Sequence, residues 1–205
     1  MLNLTPSRLN GDHKKLILDA SVLINLLGTG LSDVLLKGLN RVIVVDEVAL
    51  REVTIDPFSR KDPTEVLDRL CENGLIEVVR MSSETYDLFM DLTGGDPPDD
   101  LDDGEAATLA QAALGDCVAV IDEKKATRIA GVHFPNVTVL NSLDLLTSSE
   151  LLQLNGRDGI ANMVYLALRN ARMRVAPSER QWIFSLLGGD RAGECPSLGF
   201  RGPKV

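Results

Sequence analysis

Short apolar runs rich in Val, Ile and Leu alternate along the first 140 residues with longer segments in which apolar side chains recur every three or four positions. The short runs have the length and composition of buried strands, and the longer segments have the period of an α-helix. The pattern predicts five strands, at residues 16–18, 41–45, 75–79, 118–121 and 137–140. It predicts helices at residues 21–27, 32–38, 47–53, 63–72, 83–92, 104–114 and 124–130.

The order of these elements indicates the fold class. Strands that are apolar on both faces and separated by helices form a parallel sheet covered on both sides, joined by right-handed crossovers. We therefore expect an α/β sandwich of three layers around a central parallel sheet of about five strands. Residues 93–103 fit neither pattern, since they combine glycines, a proline pair and five aspartates, and they predict a mobile surface loop.

The strand pattern stops near residue 150. Two helices are predicted beyond it, at residues 158–172 and 178–187, the second capped by Ser178 and ended by Gly188. Residues from Cys195 onward have the composition of a tail. We expect a main domain over residues 1–150 and a helical C-terminal extension over residues 151–205.

The cysteine and histidine content limits the kinds of site that the chain can form. The chain has three scattered cysteines and two histidines, so a disulfide framework, a zinc site and histidine-based catalysis are all disfavoured. The longest apolar run, residues 163–168, is too short to span a bilayer, and the first residues lack the apolar core of a secretory signal. These features predict a cytoplasmic protein.

Charge is distributed unevenly. The formal net charge is −9, but residues 151–205 hold eight basic and four acidic groups, whereas residues 1–150 hold 13 basic and 26 acidic groups. Such asymmetry has two explanations. Either the basic extension binds RNA, or it contacts an acidic face of the same protein.

Acidic residues follow three of the five predicted strands directly. Asp19 ends the first strand, Asp46 and Glu47 end the second, and Asp122 and Glu123 end the fourth. Chemistry in an open parallel sheet gathers beyond the carboxyl ends of its strands. These positions are therefore candidates for a common site.

Two further acids, Glu52 and Glu105, lie on helices that follow these strands. Each acid taken alone fits a helix cap or a solvated surface. Together they favour a metal site, because carboxylates that repel one another share a site only when a cation compensates them. Hard oxygen ligands predict Mg²⁺ or Mn²⁺, and this chemistry suits phosphodiester hydrolysis.

Four segments resemble the PIN-domain family, which includes the toxin nucleases of prokaryotic toxin–antitoxin pairs. They are Leu-Asp-Ala-Ser-Val-Leu-Ile-Asn at residues 18–25, Arg-Glu-Val at 51–53, Asp-Gly-Glu-Ala-Ala at 103–107, and Ile-Asp-Glu-Lys-Lys-Ala-Thr-Arg at 121–128. The resemblance covers residues 14–145 and rests on the order and spacing of the four segments. It implies a metal-dependent ribonuclease that acts on single-stranded RNA.

Position by position, the resemblance implies that catalytic and metal-binding roles fall on Asp19, Glu52, Glu105 and Asp122. Many relatives have an aspartate where this chain has Glu123, so Glu123 is a further metal candidate, and Asp103 competes with Glu105. Ser21 is an auxiliary residue that would orient a ligand, or equally an N-cap. Asp46 and Glu47 are expected to decorate a helix start.

The resemblance also raises partners and alternatives. RNA is the expected substrate, and an antitoxin protein and a second copy of the chain, forming a homodimer, are further expected partners. A haloacid-dehalogenase-like phosphatase is disfavoured because Ser21 stands where that chemistry needs a second aspartate. Ordinary nucleotide-binding folds are disfavoured because no glycine-rich phosphate loop is present. A non-catalytic PIN-fold module that binds RNA or protein is the main alternative. In the C-terminal extension, Tyr165, Leu168 and Met173 are expected to be buried, and its exposed arginines are the functional candidates.

Overall fold

A computed structural model describes residues 7–95 and 100–199. Its five strands are all parallel and lie in the order β3-β2-β1-β4-β5. They are β1 (Lys15–Leu18), β2 (Val42–Asp46), β3 (Glu77–Val79), β4 (Val118–Val120) and β5 (Val139–Leu140). The five predicted strands and their parallel arrangement are thereby confirmed.

Helices connect the strands and follow the last one. They are α1 (Ala20–Leu27), α2 (Ser32–Leu39), α3 (Glu47–Arg51), α4 (Thr64–Glu72), α5 (Ser83–Thr93), α6 (Asp103–Leu114), α7 (Lys124–His133), α8 (Ser142–Leu146), α9 (Ser149–Leu166) and α10 (Pro177–Gly193). A π-helical turn, Ala167–Ala171, follows α9, and a 3₁₀ turn, Pro196–Leu198, follows α10. Gly74, after α4, has the left-handed conformation in which many helices end, with φ of 65°.

The sheet separates two apolar cores, which makes the three layers. Side chains alternate along each strand, so Leu16 and Leu18 face the larger core while Ile17 faces the smaller one. The larger core takes buried residues from α1, α2, α4, α8, α9 and α10, and the smaller one from α5, α6 and α7. Both faces of the sheet are therefore covered by helices.

The strand order places a switch point between β1 and β4. The chain runs from β1 outward to β2 and β3, then returns to the other side of β1 to form β4 and β5. Successive connections leave β1 and β4 in opposite directions, which opens a crevice at their carboxyl ends. Leu16 pairs with both Ile43 of β2 and Val118 of β4, so β1 is the centre of the sheet.

Several predicted boundaries were wrong. The helix predicted over residues 47–53 ends at Arg51, and Glu52 is its C-cap residue. The helix predicted over residues 158–172 begins at Ser149, is interrupted at Gly156 with φ of 64°, and gives way to the π-helical turn after Leu166. Ser178 does not cap α10, which begins at Pro177; the Glu179 carboxylate accepts a hydrogen bond from the Ala176 N–H there.

The C-terminal extension packs on the rest of the chain. Leu151, Ile160 and Leu168 belong to the larger core, and so do Cys195 and Leu198 from the segment expected to be a tail. Tyr165, Leu168 and Met173 are buried as predicted. Residues 96–99 of the predicted mobile loop and residues 200–205 lie outside the described part of the chain.

No single helix within the described ranges is long and apolar enough to cross a membrane. The pair α1 and α2, bent by 117°, passes by length and composition alone. Most residues of α1, and half of those of α2, are buried in the protein core.

Candidate active site

A cleft of about 380 Å³ opens at the switch point between β1 and β4, and we call it the acid cavity. Asp19 follows β1 directly, and Asp122 lies two residues beyond the end of β4. Ser21, on α1, also lines the cavity. Six carboxylates among the described residues line it: Asp19, Glu52, Asp102, Glu105, Asp122 and Glu123.

Asp19 is the most central of these acids. Only 3% of its surface is exposed, and its charge acts on Glu52, Glu105 and Asp122. Its Oδ2 accepts hydrogen bonds from the Ser21 N–H at 3.1 Å and the Ser21 hydroxyl at 2.5 Å, so Asp19 caps α1. Burial raises the pKa of Asp19, and the two Ser21 hydrogen bonds oppose that rise. Ser21 therefore fixes the orientation of this carboxylate.

Asp122 is held by hydrogen bonds from Ser142 of α8 and Asn25 of α1. Its Oδ1 accepts a hydrogen bond from the Ser142 N–H at 2.7 Å, and its Oδ2 accepts bonds from the Ser142 hydroxyl at 2.6 Å and the Asn25 amide at 2.7 Å. The Asn25 amide also donates to the Ser142 hydroxyl at 3.1 Å. Burial raises the pKa of Asp122, and these bonds oppose the rise. Sequence reasoning did not find Asn25 or Ser142, because they approach Asp122 only in the folded chain.

Glu52 reaches the acid cavity from the end of α3. Its Oε1 accepts a hydrogen bond from the Gly104 N–H at 2.8 Å. A Cβ at Gly104 would lie 2.7 Å from the same oxygen, so a side chain there would make the Glu52 carboxylate shift. Burial raises the pKa of Glu52, and the charge of Asp19 adds to the effect.

Glu105 lies in the first turn of α6. Its Oε2 is buried and has no hydrogen-bond partner among the described residues. Burial raises the pKa of Glu105 to about 7, with further contributions from the charges of Asp19 and Asp102. A buried carboxylate oxygen without a donor, among other carboxylates, is suited to a cation.

Asp102 was missed as a candidate, although Asp103 beside it was considered. Asp102 occupies the N-cap position of α6, yet its side chain makes no cap hydrogen bond and instead lines the acid cavity. Its charge raises the pKa values of Asp19, Glu52 and Glu105. The spacing of three residues between Asp102 and Glu105, which places both on one helix face, is the signal that could have found it. Asp103 is not among the residues that line the cavity.

The remaining strand-end acids divide into two groups. Glu123 lines the acid cavity and forms an ion pair with Arg174 of the C-terminal extension. Asp46 caps α3 by accepting from the Val48 N–H at 2.9 Å, and Glu47 pairs with Arg51 and Arg80. Asp46 and Glu47 thus lie at the start of a helix, as expected.

Two arginines of the C-terminal extension enter the acid cavity. Arg172 and Arg174 line it, with the buried Met173 between them. Arg172 has the left-handed backbone conformation, with φ of 58°, directly after the π-helical turn. Both features are uncommon in ordinary helices and recur at functional sites. Of the two explanations for the basic extension, contact with an acidic face of the same protein is observed for Arg174.

The donor set fits a hard divalent cation. All the candidate ligands are carboxylates, and the unpartnered Glu105 oxygen faces no competing donor within the described residues. As they stand, however, no three Asp, Glu, His or Cys side chains within residues 7–95 and 100–199 are arranged to hold a metal ion together. Hydrogen bonds hold three of these carboxylates, Asp19, Glu52 and Asp122, in their present positions.

A protein-family model described as a PIN domain matches residues 15–188. The chain belongs to the PIN-domain family. PIN domains are generally nucleases, and their fold is the α/β sandwich found here. The match extends through α9 and the π-helical turn and into α10, so it includes both arginines that enter the acid cavity. A search of curated proteins found no match.

Proposed function

We propose that this PIN domain is a metal-dependent endoribonuclease that hydrolyses phosphodiester bonds of single-stranded RNA. The observation that carries the proposal is the acid cavity itself, where six carboxylates meet at the switch point of the sheet. Like charges are gathered there at a cost that a divalent cation would offset. Asp19, Glu52, Glu105 and Asp122 are the proposed ligands, and Glu123 is a further one.

A divalent cation such as Mg²⁺ or Mn²⁺ supplies charge neutralisation at the phosphate and activation of water when it is bound in a site of this kind. The residues of the chain contribute orientation. Ser21 holds Asp19, and Asn25 and Ser142 hold Asp122, so these two carboxylates keep fixed positions on either side of the switch point. Arg172, which also lines the acid cavity, offers a positive charge to an RNA phosphate.

Substitution of Asp19 by Asn tests the activity. The amide keeps the shape and can still cap α1, but it is a neutral and poorer ligand for a hard dication. With Mg²⁺ or Mn²⁺ we expect the wild type to cut single-stranded RNA, and we expect EDTA to stop the cleavage. Asp19→Asn should lower the cleavage rate by more than about 100-fold, which exceeds the loss of roughly 10- to 100-fold that is usual for a residue that only orients a metal ligand. If Asp19→Asn cut RNA as fast as the wild type, a contaminating nuclease would explain the activity.

A non-catalytic RNA-binding or protein-binding module is the second candidate function. The observation that favours it is the absence, among the described residues, of three acids arranged to hold a metal ion as they stand. Inactivity of the wild type with both metals, on several single-stranded RNAs, would support this candidate against the nuclease. A toxin role, an antitoxin partner and a homodimer stay predictions from the family resemblance.

A further inference from the structure

A second and larger cleft, of about 730 Å³, lies beside the acid cavity, and we call it the basic cleft. Asp122, Glu123 and Arg174 line both spaces, so the two are adjacent. The volume is within the range of roughly 300–1,000 Å³ that is usual for ligand sites. Its walls come from α7, β5, α10 and the segment that joins the π-helical turn to α10.

The basic cleft concentrates positive charge in a chain whose net charge is −9. Glu179, one of its three acids, accepts a hydrogen bond from the Ala176 N–H, and Glu123 is paired with Arg174. Lys124 and Arg180 are exposed on the walls. Five cationic side chains among the described residues line the cleft: Arg8, Lys124, Arg128, Arg174 and Arg180. One of them, Arg8, is paired with Asp144. The balance favours an anionic ligand.

The floor of the basic cleft is apolar. Val139, Leu143 and Val175 contribute to it. A free phosphate ion has no apolar part that could pack on this surface. A nucleotide of an unpaired strand presents both a phosphate and an apolar base face. Among the described residues no aromatic side chain lines the cleft, so we expect its contacts with bases to be made by aliphatic side chains.

We propose that the basic cleft binds the stretch of single-stranded RNA next to the scissile phosphate, with its phosphates near Lys124 and Arg180 and its bases over Val139 and Val175. The proposal rests on the proposed function, because the residues shared with the acid cavity are what would place one strand along both spaces. The C-terminal extension then acts as part of the substrate site, since it supplies Arg174, Val175 and Arg180.

The test uses the double variant Lys124→Glu/Arg180→Glu of the full chain. Its matched control is Lys37→Glu/Arg157→Glu, which changes net charge equally at two exposed residues that line neither cleft. Binding of a fluorescent single-stranded RNA of about 12 nucleotides is followed by anisotropy, with EDTA and with Mg²⁺, at several salt concentrations. Cleavage with Mn²⁺ is measured on the same protein samples.

We expect the cleft variant to bind RNA at least about tenfold more weakly than the control, and its salt slope to fall by about 1.4, or 0.7 for each lost phosphate contact. Equal affinity in both variants would overturn the proposal and leave the cleft to an acidic protein partner. So would a wild type that binds no RNA under either condition. If the wild type bound RNA and the cleft variant bound it more weakly, but the wild type cut no RNA, only the nuclease function would be contradicted. If the wild type cut RNA while the cleft variant and the control variant bound it equally well, only the role of the basic cleft would be contradicted.

Discussion

Two sides of the acid cavity differ in how firmly their carboxylates are held. Asp19 and Asp122, at the ends of β1 and β4, accept five hydrogen bonds between them from Ser21, Asn25 and Ser142. At the start of α6, the Asp102 side chain makes no cap hydrogen bond and one oxygen of Glu105 has no partner among the described residues. We call these the strand side and the helix side.

The contrast indicates a division of labour. A carboxylate that accepts several hydrogen bonds keeps its position, whereas an unsatisfied one is free to turn toward a cation. On the proposed function, the strand side would set the place of the metal site before a metal arrives, and the helix side would complete it. As they stand, no three acids within residues 7–95 and 100–199 are arranged to hold a metal ion.

The largest expected effect is the coupling of metal to stability. A metal that binds only the folded chain at a hundred times its Kd adds about 2.7 kcal/mol to the free energy of unfolding. At about 2–4 °C per kcal/mol for a chain of this size, Mn²⁺ should raise the melting temperature by roughly 5–10 °C relative to EDTA. Asp19→Asn should shrink that rise, and in EDTA it should be neutral or stabilising because it relieves repulsion. Equal shifts in both proteins would show that the acids do not form one metal site.

The strand side is tested by Ser142→Ala. The variant loses the hydroxyl that donates to Asp122 but keeps the backbone donor, so we expect cleavage to fall by roughly 10- to 100-fold, as for other partners that orient a ligand. The control is Ser148→Ala, because Ser148 is also a buried serine but caps α9 and lines neither cleft. Parallel cleavage assays and thermal scans separate the two. If both variants lost activity equally, the effect would be one of stability alone.

The helix side is tested by Asp102→Asn. Because Asp102 makes no cap hydrogen bond, its replacement should leave the stability of the metal-free protein unchanged or slightly higher, unlike the loss of about 1 kcal/mol for removal of a working cap. We expect the Mn²⁺ concentration that gives half-maximal cleavage to rise about tenfold. A loss of stability in EDTA with no change in the metal requirement would make Asp102 a helix cap only.

The smallest expected effect is the pH dependence of stability without metal. The pKa of Glu105 is about 7 in the folded chain and near 4.5 when unperturbed, so the folded state holds the proton more tightly. The contribution of Glu105 to stability is therefore complete below pH 4.5 and is lost as the pH rises toward 7. Glu105→Gln should flatten the decline over this window in EDTA, as measured by denaturant unfolding at a series of pH values. An unchanged slope would mean that Glu105 is not the group that titrates there.

Sequence reasoning found the fold because the signals for it are local. Each strand is a short apolar run, and its neighbours in the chain are helices, so the parallel sheet follows from the order of elements. The same logic placed Asp19 and Asp122 at carboxyl ends of strands. The order β3-β2-β1-β4-β5, which brings those two ends together, depends on pairing between distant segments.

The residues that sequence reasoning missed act across long separations in the chain. Asn25 and Ser142 lie 97 and 20 positions from Asp122. Arg172 and Arg174 are among the exposed arginines that were named as candidates, but their place in the acid cavity was not predicted, because it depends on the buried Met173 between them and on the π-helical turn before them. No periodicity predicts such a turn, because it interrupts the helical repeat. Asp102 was missed for a different reason, since neighbouring acids at a helix start differ only in the direction of their side chains.

Gly104 has a consequence for how the acid cavity tolerates change. Its hydrogen atom is all that stands between the backbone of α6 and the Glu52 carboxylate, since a Cβ would lie 2.7 Å from Oε1. A methyl group there would make the Glu52 carboxylate shift away and would strain the hydrogen bond that it accepts from the Gly104 N–H. One acid of the cavity would then change position although it had not itself been altered. The placement of Glu52 is thus set in part by a residue that carries no chemistry at all.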